Sequence, residues 1–228
     1  MLLENNDGYK REREMKLISV NIGRKQSYDP TRPEKKSGIF KRPVSGPVEI
    51  DRLGLEGDAI VNRKHHGGPD QAVYLYTMDD YAFWADDGID VEAGLFGENL
   101  TIEGVESATL CAGDRLKFGN VTLEITAPRV PCNTFAAKMG DPAFVKRFRD
   151  AGRPGAYARV IAQGQAEAGQ AIAYLPAENR RMSLGAQFAL HFEKRPTREQ
   201  VETVLSLPVA IREREHYAEL LGTLELRS

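Results

Sequence analysis

The chain has 228 residues and sets 31 Lys and Arg against 33 Asp and Glu, a formal net charge of −2. That balance excludes a global electrostatic grip on nucleic acid polymers or acidic lipid. Its 41% hydrophobic and 28% charged residues exclude an intrinsically disordered chain.

Residues 1–14 mix charges without an apolar segment and read as a loose N-terminal extension. Lys16–Gly23 alternates Leu17, Ser19 and Asn21 with Ile18, Val20 and Ile22, which predicts an opening strand. Residues 24–47, rich in Lys, Arg, Pro, Ser and Gly, read as a long loop with a short strand inside. Lys35, Lys36, Lys41 and Arg42 within it read as a solvated basic face. Further strands are predicted at Ala72–Tyr76, Leu116–Phe118, Val121–Ile125, Tyr157–Ala162 and Ile172–Leu175, with a hairpin turn at Gly119-Asn120. Thr77 caps a helix through Tyr81, Phe83 and Trp84, and Asp141-Pro142 opens a second helix that Gly152 ends. After Pro176 the pattern is helical, with helices predicted at Ser183–Phe192, Thr197–Leu205 and Pro208–Leu221. The expected fold is therefore a mainly β core over residues 15–176 and a small all-α module over 177–228. The apolar residues Phe188, Leu190, Val201, Val204, Leu205, Leu220 and Leu221 of that module leave room for a homodimer.

Two cysteines are too few for a disulfide framework, and no apolar run approaches the roughly 20 residues that cross a bilayer. A cytoplasmic setting without membrane contact is the expectation. Cys111, with no charged residue directly beside it, reads as structural. Cys132 follows Pro131 and lies three residues after Arg129, and a nearby cation raises the thiolate fraction, the form that attacks or ligates metal. A packed corner residue is the plain alternative. In His65-His66-Gly67-Gly68-Pro69-Asp70, successive glycines let backbone N–H groups converge on an anion and His66 adds a donor. The alternative is an ordinary Gly-Pro loop. Asp58 and Glu98 sit in turns where carboxylates usually hold backbone N–H groups. Asn99 is placed to offer its amide to a flat heterocycle. Among the nearby arginines, Arg129 and then Arg159 are the candidates for a phosphate.

Taken in order, GLEGD (54–58), HGGPD (66–70), FGENL (96–100), the Gly113-Asp114 turn and PRVPC (128–132) resemble the MOSC domain family, in its YiiM-like branch. MSLGAQFALHF (182–192) resembles the start of the three-helix module that follows the domain in that branch. Gln71 stands where the branch often carries Arg. The resemblance implies a β-barrel-like core and, as ligand, molybdenum cofactor, a pterin with a dithiolene and a phosphate. It implies Cys132 as the catalytic thiolate and metal ligand, with Arg129, Gly67 and Gly68 on anionic parts of the pterin. Asn99 and Arg159 complete the expected cofactor contacts, and His66 or Asp58 the proton delivery. The implied activity is reduction of N-hydroxylated bases or related N-hydroxy compounds. No flavin, haem or iron–sulfur motif is present, so electrons are expected from a partner reductase. The alternative is a non-catalytic carrier of the cofactor, or of persulfide sulfur on Cys132.

Overall fold

The structure, a computed structural model, describes residues 14–61 and 67–226. The expected loose extension falls outside these residues save for residue 14, and so does His66. Strand β1 (Met15–Gly23) is followed by a two-residue ladder of β2 (Gln26–Ser27) with β3 (Lys36–Ser37), then by β4 (Lys41–Pro43), β5 (Val48–Asp51) and β6 (Gly54–Leu55). Next come β7 (Val73–Thr77), α1 (Met78–Asp86), β8 (Leu100–Glu103) and the hairpin of β9 (Arg115–Phe118) and β10 (Val121–Ala127). Helices α2 (Asn133–Met139) and α3 (Phe144–Ala151) lead to β11 (Ala156–Ala162), β12 (Gly164–Ala166) and β13 (Ala171–Leu175). The chain ends in α4 (Leu184–His191), α5 (Arg198–Leu205) and α6 (Ile211–Glu225).

Seven strands close a mixed barrel in the order β13-β9-β10-β11-β7-β8-β1, and β1 returns to β13 through Met15↔Ile172 and Lys16↔Ala171. The β7–β8 pair is parallel. Strand β7 shows how the layers arise. Its period of two sends Val73 and Leu75 into the barrel core and Tyr74 and Tyr76 outward, yet both faces are buried. The outward tyrosines join Tyr81, Trp84, Phe96, Phe135, Phe144, Phe148 and Phe188 in an aromatic layer under α1 to α4. Many of its ring pairs stand edge to face, as for Phe96 and Phe135 at 5.4 Å, the arrangement that ring quadrupoles favour.

In β1 Leu17, Ser19, Val20 and Asn21 are all buried, because the pairing with β8 shifts register between Leu17 and Ser19 and brings Leu17 and Val20 into the same core. The polar members are satisfied: Ser19 donates to Asn21 (2.7 Å), and Asn21 donates to Thr101 (3.0 Å). Thr77 caps α1 through the Asp80 N–H, Gly152 ends α3 in the left-handed region, and Thr197 with Gln200 forms a complete capping box. Three expectations need correction. Asp141 does not cap α3. Its carboxylate accepts the Ala143 N–H (2.8 Å), a side-chain turn that delays the helix to Phe144. The last helix starts at Ile211 rather than at Pro208, because Ala210 is extended (φ −57°, ψ 149°), and it runs on to Glu225. The sequence reading had no helix at Asn133–Met139, where Cys132 is the N-cap residue.

The tail is fastened to the barrel by main-chain bonds. Leu184 N–H donates to Leu110 O (2.7 Å) and Ala210 N–H to Thr126 O (3.1 Å), while Cys111 bridges Ser183. Phe188, Leu190, Val201 and Val204 are buried within the chain, while Leu205, Leu220 and Leu221 are partly buried. Among the described residues no helix is long and apolar enough to cross a membrane.

Glu213 in α6 is buried, and that burial pushes its carboxyl up to about 7. A carboxyl with a raised folded pKa keeps its proton longer in the folded state, so stability falls as pH rises from about 4.5 to about 7. Glu213→Gln removes that loss. In urea titrations the variant should match the wild type near pH 4 and exceed it at pH 8 by about 2–3 kcal/mol.

Candidate functional site

Beside β7 and β11, outside the barrel wall, lies a cavity of about 150 Å³, far larger than a single-water void. Its lining draws on all four segments singled out in the sequence: Asp58, Gly67, Gly97 with Asn99, and Arg129 with Cys132. Tyr28, Lys36, Lys41, Gln71, Tyr74 and Tyr157 add to the wall.

Arg129 follows β10 and is 4% exposed. Its guanidinium lies between two aromatic faces, 4.9 Å from the Tyr74 centroid and 4.5 Å from that of Phe135. Such contacts favour a desolvated cation. Its Nη1 donates to Phe96 O, and its Nε is buried without a hydrogen-bond partner. No ion pair joins it to a carboxylate among the described residues. Burial opposes the charge, but Tyr74, Tyr157 and Cys132 around it hold its pKa above the ordinary guanidinium value, so it is a permanent cation. Gly97 lets Ile39 pack close beside it: a Cβ there would lie 2.7 Å from Ile39 Cγ1, and at an ordinary contact distance of 3.7 Å from Arg129 Nη1.

Cys132 is half-buried and free, at the cavity end of α2 and against the aromatic layer. Cys111 is buried, does not line the cavity, and has its thiol pushed up by that burial. The second basic group of the cavity corrects the sequence reading. Lys41 is not a solvated surface residue: it is 8% exposed and its Nζ lies 2.5 Å from both oxygens of Asp58. Burial lowers the Lys41 pKa, and the Asp58 carboxylate works against that. Asp58 also accepts the Gly23 N–H (2.8 Å) and the Asn99 Nδ2 (3.0 Å).

Asn99 lines the cavity, but its amide is engaged inward, since Oδ1 accepts the Tyr74 N–H (3.2 Å) while Nδ2 donates to Asp58. Glu98 is fully buried and holds the Gly94 N–H (2.6 Å), Tyr81 and Thr101 on one oxygen, as expected of a turn carboxylate, and its other oxygen has no partner. Burial raises its pKa. Arg159 is not part of the lining. It contacts Asp70 (3.1 Å) and Glu124 (3.5 Å) and donates to Pro208 O and Val209 O, joining the barrel to the tail. Gly68 lies one residue beyond the lining, in the turn that enters Pro69–Gln71.

Sequence reasoning missed Tyr74 and Tyr157, which face each other across β7 and β11 with centroids 5.0 Å apart. Alternation gave the signal that Tyr74 faces away from Val73, but not what it faces. It also missed Lys138 of α2, which donates to Ile39 O (3.0 Å) and Gly94 O (2.8 Å) and whose pKa burial lowers to about 7. No local pattern distinguishes this lysine from a surface one.

Among the described residues no group of three or more His, Cys, Asp or Glu is arranged to hold a metal ion. Cys132 is the soft donor of the described lining. A metal carried in by an organic ligand fits this arrangement, since it needs one further donor and an anion-binding cation beside it. Cys132 and Arg129, with its unpartnered Nε, are of those two kinds.

Comparison with known proteins gives matches of the same kind. The MOSC domain family matches residues 62–173. Protein YiiM of Escherichia coli (strain K12) is 31% identical over 155 residues, which cover 66% of this chain and 68% of that protein. A protein named Reductase from Gibberella moniliformis (strain M3125 / FGSC 7600) is 33% identical over 144 residues, 61% of this chain but 26% of its own length. The crystal structure of YiiM from Geobacillus stearothermophilus superposes with a TM-score of 0.75 at 25% identity, covering 91% of this chain and 99% of that one.

The Lys41–Asp58 pair allows a direct test of its role. Lys41→Met leaves a buried carboxylate without its cation and should destabilise the protein by about 3–5 kcal/mol in urea. Adding Asp58→Asn should recover about half of that loss, the signature of coupling in a double-mutant cycle.

Proposed function

Because this chain belongs to the MOSC domain family and resembles YiiM proteins in sequence and fold, we propose that it binds molybdenum cofactor in the Cys132 cavity. With it the protein reduces N-hydroxylated bases or related N-hydroxy compounds. MOSC domains are associated with that cofactor. The observation that carries the reading is the pairing, in one cavity, of a free thiol with a buried guanidinium whose Nε has no partner. When bound, the cofactor supplies two-electron chemistry and an acceptor for the oxygen of an N–OH group. Everything else falls to the chain. Cys132 would be the soft donor. Arg129 and Lys36 would face the anionic parts of the pterin, with the Gly67 backbone close by. Tyr74 and Tyr157, their rings tilted by 42° to each other, give an aromatic wall for a heterocyclic base.

Reduction of N–OH to N–H takes two electrons and two protons and releases water. Burial raises the Tyr157 pKa, so that phenol keeps its proton and can donate a hydrogen bond at the wall. Asp58, held by Lys41, or His66, outside the described residues, keeps the assisting role in proton delivery expected from the sequence. Electrons come from a partner reductase. The Gibberella protein supports this, since it is named Reductase and holds the matching segment in a much longer chain.

Protein made in a cofactor-competent host should carry molybdenum and pterin in equal amounts and reduce N-hydroxylated bases with a supplied donor. Cys132→Ala should lose the metal and the turnover by at least about a hundredfold, in line with the loss of a metal ligand, while keeping its melting midpoint. Metal-free wild-type protein that instead accepts sulfane sulfur on Cys132 would replace this reading with that of a carrier.

A further inference from the structure

The helical tail reaches the cavity wall through the first turn of α6. Arg212 Nη1 donates to Gly67 O (3.0 Å) and to Gln71 Oε1, and both residues line the cavity. One residue earlier, Ile211 N–H donates to Asp70 Oδ2 (2.9 Å). The same aspartate meets Arg159 through Oδ1, and its carbonyl accepts Thr126 Oγ1 (2.6 Å). Residues 67–71 thus have the barrel on one side and the start of α6 on the other. We propose that α6 is a positioning element of the site, with Arg212 and the Ile211 N–H fixing the Gly67–Gln71 wall, so that displacement of the tail opens the cavity around Cys132. This rests on the cavity and not on the cofactor assigned to it.

The geometry of α6 supplies a local test. Ile211 is the first helical residue, where proline is tolerated because that N–H has no partner within the helix. Ala210 already has φ −57° and ψ 149°, the conformation that a residue before proline prefers. The Ile211 side chain is 53% exposed. Ile211→Pro therefore removes one donor to Asp70 and leaves the helix intact. Arg212→Met removes the two bonds to Gly67 and Gln71, and Arg212→Lys restores a cation at that position.

The readouts are the alkylation rate of Cys132 by a small maleimide in the apo protein, with Cys132→Ala as the blank, and hydrogen exchange of residues 67–72. Melting midpoints control for the fold. Ile211→Pro and Arg212→Met should each speed alkylation by about tenfold, the change in open population when a charge-assisted hydrogen bond is lost. Exchange should rise in 67–72 at an unchanged midpoint, and Arg212→Lys should return part of the wild-type rate. Wild-type alkylation and exchange in both variants would overturn the proposal. So would faster alkylation accompanied by a lowered midpoint and exchange raised throughout the tail, which would mark general loosening. Neither result bears on whether the cavity takes molybdenum cofactor, which the metal analysis decides separately.

Discussion

A permanent cation is buried beside the barrel with no ion-paired carboxylate among the described residues, and much of the site is arranged around that fact. A guanidinium in such a place is tolerable only if its desolvation is offset. Tyr74 and Phe135 offset it with their ring faces, and Phe96 does so with its carbonyl. Each comes from a different part of the fold: the outward side of β7, the helix that begins after Cys132, and the loop before β8. Holding Arg129 therefore draws these elements together. Its Nε is left without a hydrogen-bond partner, so the guanidinium is held by ring faces and one carbonyl rather than by a carboxylate.

Around that centre the buried charges are layered. The Lys41–Asp58 pair closes on itself and uses the rest of the carboxylate to hold Gly23 and Asn99. Glu98 gathers Gly94, Tyr81 and Thr101 deeper in the aromatic layer. Lys138 ties the helix that follows Cys132 to the carbonyls of Ile39 and Gly94. Its pKa near 7 puts a buried cation close to its titration point at neutral pH. The aromatic layer makes this arrangement stiff, since its rings interlock edge to face between β7 and the helices.

The helices after residue 183 are not laid loosely against this core. Phe188 packs on Phe148 of the aromatic layer, and the first turn of α6 grips residues that line the cavity. The match to YiiM of Geobacillus stearothermophilus extends over 91% of the chain and so includes the tail.

By itself the sequence determined the longer strands, most of the helices and the identity of the chemical segments, because these are written locally, whereas the short strands β5, β6, β8 and β12 and helix α2 were not legible in it. Alternation marked β1, strand-forming runs between glycine turns marked β7, β9, β10, β11 and β13, and the Thr77 side chain marked the cap of α1. Motif order pointed to the family and to Asp58, Gly67, Asn99, Arg129 and Cys132, which share one cavity. Only the tertiary structure decided which charges were buried and with what. Lys41 reads as one more cation in a basic loop, and it is buried because Asp58, 17 residues on, folds back against it. Arg159 reads as a second phosphate ligand, and it is withdrawn because the tail offers it Pro208 and Val209 carbonyls about 50 residues away. Tyr157 and Lys138 have no local mark at all. Their roles depend on strand register and helix packing, and those are set by closure of the barrel rather than by neighbours in the chain.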